Sequence, residues 1–486
     1  FATDDTAIIE LTDSAMRVNL SGVAIVRPSV STAITNGTFD SNVTGWTDSD
    51  ESGGVSAWLT GGYLSLLGNG TAAAIRDQEV TVAGADQNVE HALAIRVTRG
   101  TAVLKVGSTI GAETYLSSIV LREGYHSLAF TPTGNFWIRL QANDNTAVLI
   151  DSVAVEAAGA MVLTSPWEAG DLQNIRFEQS GDVIFVCDGA HRQMRIERWG
   201  TRSWSLVNYI AEDGPFRNQN VTATTMAVGA ISGSTTLTAS KPYFKSTNVG
   251  SLFRLESAGQ TVNAAAVAED TATDPIRVTG IDNGRVFSVI ISGTGVGTAT
   301  LQRSVSEPGD WTDVTTYGVN QTTTYDDTLD NQIIYYRLYV KVGDYTSGTR
   351  GMQLSYSAGS IQGVGIVTGY TSSTVVSIDV LDPFGGTAAT ADWWEGQWSD
   401  RRGWPSSVAL HDGRLCWAGK DSINLSVSDA FESFDDGVEG DSGPIKRSVG
   451  SGPVDKINWL LPLAHLLVGT QGAELVAKSS TLDEPL

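Results

Sequence analysis

Short runs in which apolar and polar residues alternate, each cut off by Gly, Asn or Asp, constrain this chain more than any other feature. In Ala15–Leu20, Met16, Val18 and Leu20 alternate with Arg17 and Asn19, the two-residue period of a half-buried strand. Asp188-Gly189 and Asp412-Gly413 each join two apolar runs, and an Asp-Gly pair supplies the positive φ angles of a two-residue hairpin. Only Thr387–Glu395 and Ala430–Phe434 hint at helix. Thr, Val, Ile and aromatic residues recur throughout, beside 52 Gly and only 5 Met. The pattern predicts an all-β protein.

At 486 residues the chain has room for about three domains, counted at roughly 150 residues each. The punctuation predicts β-hairpins over 1–31 and a separate jelly-roll over 32–158. Its strands are expected at Ile75–Val82, Ala92–Thr98, Thr101–Val106, Ser127–Thr131, Phe136–Ala142 and Ala147–Glu156. A propeller-like blade is expected over 159–210, a β platform over 211–284, a β-sandwich insertion over 285–360 and a return to the core over 361–400. Further blades are expected over 401–486, truncated at the C-terminus; both ends read as cut. The blade reading rests on three loosely similar hairpin units at 175–209, 406–434 and 457–478, each too small to bury its own face.

Lys and Arg total 31 against 54 Asp and Glu, a net charge of −23 that repels phosphate and argues against tight nucleic-acid binding. No apolar stretch reaches transmembrane length. Trp459–Gly469 comes nearest, and Pro462 and His465 interrupt it. No N-terminal signal pattern is visible. Cys187 and Cys416 each sit in an apolar run and read as small buried hydrophobes.

Chemistry is hard to find. There is no phosphate-binding GxxxxGK[ST] loop, no HExxH and no paired Cys/His spacing, and Gly293, Gly295 and Gly297 open no helix. His91, His126, His191, His411 and His465 fall in five separate contexts, and no GxSxG elbow marks a nucleophile. A glycan hydrolase needs two carboxylates across a cleft, and the pattern singles out no pair. Asp48, Asp50 and Glu51 cluster in one loop and Asp435, Asp436, Glu439 and Asp441 in another. Neither follows the twelve-residue calcium pattern, so structural calcium is a weak expectation and solvated loops are the plainer reading. Ser304–Trp311 resembles the Asp-box hairpin of sialidase propellers, with Ser306 where the acid belongs; the plainer reading is a turn with Trp311 packed beneath it.

Asn36–Trp46 reads N-G-T-F-D-S-N-V-T-G-W and resembles the opening of jelly-roll carbohydrate-binding modules. On that resemblance Trp46, Trp58 and Tyr63 form a candidate face for stacking sugar rings. The competing reading makes Phe39 and Trp46 core residues.

The sharpest signal spans Trp394–Asp435. Trp398, Ser399, Arg402, Gly403, Trp404, Pro405, Val408, Arg414, Leu415, Trp417 and Gly419 form one run, and Ser426, Phe431, Phe434 and Asp435 form a second. This pattern resembles the tail tubular protein B (nozzle) family of short-tailed bacteriophages. Ala7–Val18 resembles that family's N-terminal hairpin, and Leu466–Val476 a further blade with Ala473 inserted in its tip. The resemblance implies a structural virion protein of the phage tail, without catalytic residues or cofactor. It implies a ring of about six copies that extends the DNA-ejection channel and supports host attachment. The expected partners are further copies of itself, the tail adaptor, fibre or other tail proteins, DNA in transit and a host surface glycan. Two other classes remain in view: a glycan-binding virion or cell-surface protein, and a glycan hydrolase. The bulky run of Trp398, Trp404 and Trp417 around Arg414 reads by itself as architecture, because it offers apolar area and no nucleophile with a base.

Overall fold

The computed structural model describes residues 6–280, 282–305, 308–330, 332–438, 440–449 and 456–477. About 54% of the chain is strand, and among the described residues helix is confined to 3-10 turns of three or four residues. The fold is all-β. Among the described residues no helix is long and apolar enough to cross a membrane. The chain divides into two compact units: Phe1–Pro215 with Thr247–Ser251 and Gly396–Leu486, and Phe216–Ser246 with Leu252–Glu395.

In the first unit a five-stranded and a nine-stranded sheet share one core. The five strands run in the order Leu116–Leu121, Ala102–Gly107, Phe136–Ala142, Ala74–Val80 and Thr47–Asp48. Period-two patterning puts Leu104, Val106, Ile138 and Leu140 of this sheet with Leu93, Ile95 and Val97 of the other, all at most 2% exposed.

The nine-stranded sheet corrects the expected separation of jelly-roll and blade. Its inner strand Gly124–Phe130 pairs with His91–Arg99 on one side and with Ser203–Asn208 on the other. Met194–Gly200, Val183–Cys187 and Arg176–Ser180 then continue the same sheet. The hairpins expected as a blade over 159–210 therefore extend the sandwich. Unpaired edge groups on Gly124–Phe130 are satisfied by that continuation.

The N-terminal hairpin pairs Ala7 with Leu20 through Thr12 with Ala15. It buries Met16 and Val18 in a core with Met161, Leu163, Trp167, Ile196 and Trp204. Near the other end, Ser407–His411, Arg414–Gly419, Ser422–Leu425 and Ile445–Ser448 form an antiparallel sheet, and Ile457–Pro462, Leu466–Thr470 and Glu474–Ala477 a smaller one. These two sheets share the core of Cys416, Ile423, Ile457 and Leu466. The end of the last expected blade lies outside the described residues. Among the described residues no closed propeller is seen.

In the second unit long strands run through the expected platform, insertion and return, which keep separate cores. Leu252–Ala266 pairs along almost its whole length with Arg350–Ser372, a strand of 23 residues that crosses the boundary expected at 360. A facing five-stranded sheet is built on Ile334–Val340 and Ala299–Val305. Phe287, Leu301, Tyr336 and Leu354 lie in the core. Neither hint of helix is helical. Trp393–Glu395 is a strand paired with Phe253–Leu255, because Trp393 is drawn into a cluster with Tyr243 and Phe253. Residues 430–434 form a turn that closes with the Val427 N–H donating to the Ser433 carbonyl, 2.8 Å.

Candidate functional site

The two runs that carry the tail-protein resemblance fold together within the first unit. Asp412 and Gly413 take φ of 49° and 70° and close the hairpin between Ser407–His411 and Arg414–Gly419, as the sequence predicts. This turns Arg414 inward. Its side chain is buried, and Nη1 donates to the carbonyls of Ser426 at 2.8 Å, Ser442 at 3.1 Å and Gly443 at 2.5 Å, while Nη2 donates to Asp441. One guanidinium thus closes the loop that carries the acidic residues. Ser426 Oγ assists by accepting the Leu415 N–H at 3.0 Å and donating to the Val427 carbonyl at 2.8 Å.

The aromatic members make a second layer. Trp417 is fully buried, with its ring centroid 5.1 Å from Tyr209, 6.3 Å from Phe185 and 6.4 Å from Trp398. Trp398 in turn meets Phe434 edge-on at 5.5 Å. Trp404 donates from Nε1 to Asp400 at 2.9 Å, and the Arg192 guanidinium lies 5.4 Å over its ring. Gly403 has φ of 91°, and its N–H donates to the Ser399 carbonyl at 2.6 Å. Arg402 sits in that turn, with its own N–H on Ser399 Oγ at 3.0 Å. At Gly419 a Cβ would lie 2.9 Å from Pro405 Cα and 3.0 Å from the Trp404 carbonyl oxygen, so only glycine permits the approach. Leu415 lies in the same core as Trp417.

Beside this knot is a cleft of about 470 Å³, lined by Phe185, Arg195, Asp213, Phe431 and Glu432 among others. Its charged groups hold the chain in place. Asp213 accepts from Ser433 Oγ at 2.5 Å and from the Phe434 N–H at 2.6 Å. Glu432 pairs with Arg195, and the Tyr209 hydroxyl donates to the Phe431 carbonyl at 2.6 Å. Burial raises the carboxyls of Asp213 and Glu197 above their ordinary range. Burial likewise pushes the Cys416 thiol up to about 12, the opposite of an activated nucleophile. Tyr209, Asp213, Arg192 and Arg195 were not singled out from the sequence. The signal present was charge inside the predicted strand Arg192–Arg198.

The other sequence candidates are dispersed. Trp46 is a core residue, 4% exposed and 5.5 Å from the Phe39 ring. Trp58 pairs across its hairpin with core residue Leu64, and its Nε1 donates to the Phe39 carbonyl at 2.8 Å. Tyr63 pairs with exposed Leu59 and so faces the other side of the hairpin. The three rings do not form one sugar-stacking face.

The acidic loops are pinned by hydrogen bonds. Asp50 accepts from Ser56 and Ile75 backbone N–H groups at 2.6 and 2.5 Å, Glu51 from the Ala73 N–H at 2.8 Å, and Asp48 pairs with Arg76 at 3.0 Å. Asp435, Asp436 and Asp441 are exposed, and Glu439 lies outside the described residues. The one metal-compatible group among the described residues is elsewhere: Asp171, Asp188 and His191 place one donor atom each within 4.8 Å of one another. Its acids are already engaged, Asp188 with His191 Nδ1 at 2.6 Å and Asp171 with the Glu168 N–H at 2.9 Å. Ser306 of the Asp-box-like segment also lies outside the described residues.

No family model and no curated protein matches this chain. Among solved structures, the N-terminal CBM22-1-CBM22-2 tandem domain from Paenibacillus barcinonensis Xyn10C shares 11% identity over 72% of this chain and 98% of that chain, with a TM-score of 0.19. The coconut allergen cocosin shares 11% identity over 68% of this chain and 89% of its own, with a TM-score of 0.13. Procruciferin, an 11S globulin from Brassica napus, shares 11% over 68% and 87%, with a TM-score of 0.11. Likenesses this faint assign no role to any residue.

Proposed function

We propose that this chain is a structural component of a bacteriophage tail, the subunit of a nozzle ring that extends the DNA-ejection channel. The observation that carries the reading is the use of the family-like run. Arg414, Trp417, Trp404 and Gly419 spend their chemistry on carbonyls, rings and close backbone contacts inside one framework. Such a framework suits a part that bears load through assembly.

A ring of about six copies is a head-to-tail assembly, in which one face of each subunit meets a different face of the next. Its remaining partners are the tail adaptor, fibre or other tail proteins and, in transit, the genome; its place is the virion. The net charge of −23 supports this duty, since a lumen rich in carboxylates repels phosphate and lets DNA slide. The exposed Asp435, Asp436 and Asp441 are candidates for that lining.

Electron microscopy of the intact particle tests the proposal. The expected result is this chain in a ring on the tail axis, around a lumen of negative potential. A monomer away from the axis, or a positively charged lumen, overturns it.

A further inference from the structure

The outer face of the five-stranded sheet in the second unit carries a row of side chains that neither the core nor the assembly reading uses. Along Ile334–Val340, Ile334, Tyr336, Leu338 and Val340 are fully buried, while Tyr335, Arg337 and Tyr339 alternate with them on the half-buried outer face. Register places Gln302 opposite Arg337 and Thr300 opposite Tyr339 on that same face. The Arg337 guanidinium lies 4.3 Å from the Trp311 ring centroid and 4.9 Å from that of Tyr339. Trp311 closes the Asp-box-like segment, and it is a platform for this arginine.

A hydrogen-bonded chain fixes the row. Arg337 Nε donates to Gln302 Oε1 at 3.0 Å, and Gln302 Nε2 donates to Asp313 Oδ1 at 2.9 Å. Lys341 neutralises Asp313, and the Tyr339 hydroxyl donates to Asp270 at 2.6 Å. The guanidinium plane is set by the two rings and by its Nε bond, so its remaining N–H groups are pre-aimed. Both Nη groups of Arg337 have no protein acceptor among the described residues. Thr300 Oγ1, on a residue only 1% exposed, has no hydrogen-bond partner either.

We infer that this face binds a neutral saccharide. A sugar hydroxyl is donor and acceptor at once, and the row offers both: the Arg337 Nη donors beside the acceptor oxygens of Asp313 and Asp270. Trp311 and Tyr339 are half-buried, and the ring surface they do not turn to Arg337 supplies an apolar flank for the C–H face of a pyranose, with a few polar groups fixing its orientation. Asp270 and Glu269, the latter accepting the Gly343 N–H at 2.7 Å, disfavour a sugar acid, as does the charge of the whole chain. The site stands on the geometry of the second unit alone and does not depend on assembly into a tail.

The test presents the whole chain to an array of neutral oligosaccharides of glucose, galactose, mannose and N-acetylhexosamines, beside uronate-bearing and sulfated ones. The strongest neutral probe is then titrated calorimetrically. Arg337→Gln is expected to weaken binding at least about tenfold, as for loss of hydrogen bonds to a charged group. Trp58→Ala should leave it within about twofold, since that ring belongs to the other unit. Trp311→Ala gives the same reading should Arg337→Gln fail to fold. Binding of no neutral probe, binding confined to charged sugars, or unchanged affinity in a folded Arg337→Gln or Trp311→Ala chain overturns the inference.

Discussion

Nε of Arg27 lies 2.7 Å from Oε2 of Glu156, across 129 residues of chain. The same guanidinium donates to Glu90 at 3.1 Å, to Ser127 Oγ at 2.7 Å and to the Arg202 carbonyl at 3.0 Å. Val26–Arg27 also pairs with Gly159–Ala160, so the chain enters and leaves the sandwich at one point, clasped by one buried arginine. Arg27→Ala strands the partly buried Glu156 carboxylate and leaves Glu90 with Arg202 alone, and about 3 kcal/mol of stability should be lost. Arg27→Lys keeps the charge without the fork and should recover only part of it. Urea unfolding of both variants measures this; a loss below about 1 kcal/mol, the range of a surface pair, contradicts it.

Proximity of the two ends does not make the sandwich dispensable. Gly124–Phe130 is the pairing partner of Ser203–Asn208, in which Leu206 and Val207 are fully buried. Deleting 32–158 behind a short linker removes that partner and exposes a long apolar edge. The expected product is insoluble or lacks a cooperative melt. A soluble remainder with a sharp transition refutes the sheet continuity.

What the sequence discloses is local. Period-two patterning finds Ile334–Val340, and Asp412-Gly413 finds its hairpin, because both are decided by neighbours in the chain. The pairing of Gly124–Phe130 with Ser203–Asn208 depends on which edges meet after nearly eighty intervening residues, as the separation of 79 between His126 and Ser205 illustrates. The strand Arg350–Ser372 reads as two because Ser357, Ala358, Gly359 and Ser360 look like a break; the structure passes through them with a bulge opposite Gly259. Trp58 and Tyr63 fail as a pair for a similar reason. Aromatic content suggests a platform, but the Gly61–Gly62 turn fixes a register that sends the two rings to opposite faces. The motif residues around Arg414 were visible as architecture, whereas the row on Arg337 has no signature until register aligns it with Gln302.

The joint between the sandwich and its extension titrates. His126 Nε2 lies 2.8 Å from the Arg122 carbonyl and Nδ1 2.7 Å from Ser205 Oγ, which also accepts the Trp199 indole N–H at 3.0 Å. The carbonyl can only accept, so in the neutral ring Nε2 carries the proton. Burial holds its pKa down to about 4, against about 6.5 in an unfolded chain. Between those values the unfolded state binds more protons, so stability is complete above about pH 6.5 and falls as pH drops toward about 4. Melting temperatures of the parent chain and His126→Asn across that range should differ in slope, with the parent steeper. Parallel slopes defeat the assignment.

In the second unit Arg285 and Asp327 form a fully buried fork, Nε–Oδ1 2.5 Å and Nη2–Oδ2 2.6 Å. Burial alone pushes the Asp327 carboxyl up, but hydrogen bonds from Arg285 and the Leu329 N–H outweigh it and hold the carboxyl below its usual range. The stability from this pair is therefore present above about pH 4, the unfolded value, and is lost as pH falls further. Asp327→Asn leaves a buried guanidinium without its counter-charge and should cost about 3 to 5 kcal/mol at pH 7. Chemical unfolding at pH 7 and pH 3 checks both statements, since the variant should show a smaller loss between the two.

Arg414 gives the most selective test of the knot in the first unit. Four carbonyls on Ser426, Asp441, Ser442 and Gly443 converge on its guanidinium. A lysine presents one ammonium with three hydrogens, and it cannot span the planar spread that the fork covers. Arg414→Lys should thus cost about 2 kcal/mol or more even though charge is retained, because buried carbonyls are left without donors. Gly419→Ala, placed against Pro405 and the Trp404 carbonyl, should cost about 1 to 3 kcal/mol by overpacking. The two changes act by different routes on one framework, so hydrogen exchange should distinguish them. Arg414→Lys should release amides around 441–443 with the hairpin still protected, whereas Gly419→Ala should loosen the hairpin itself. Equal protection at 441–443 in the lysine variant and the parent chain contradicts the role given to the guanidinium.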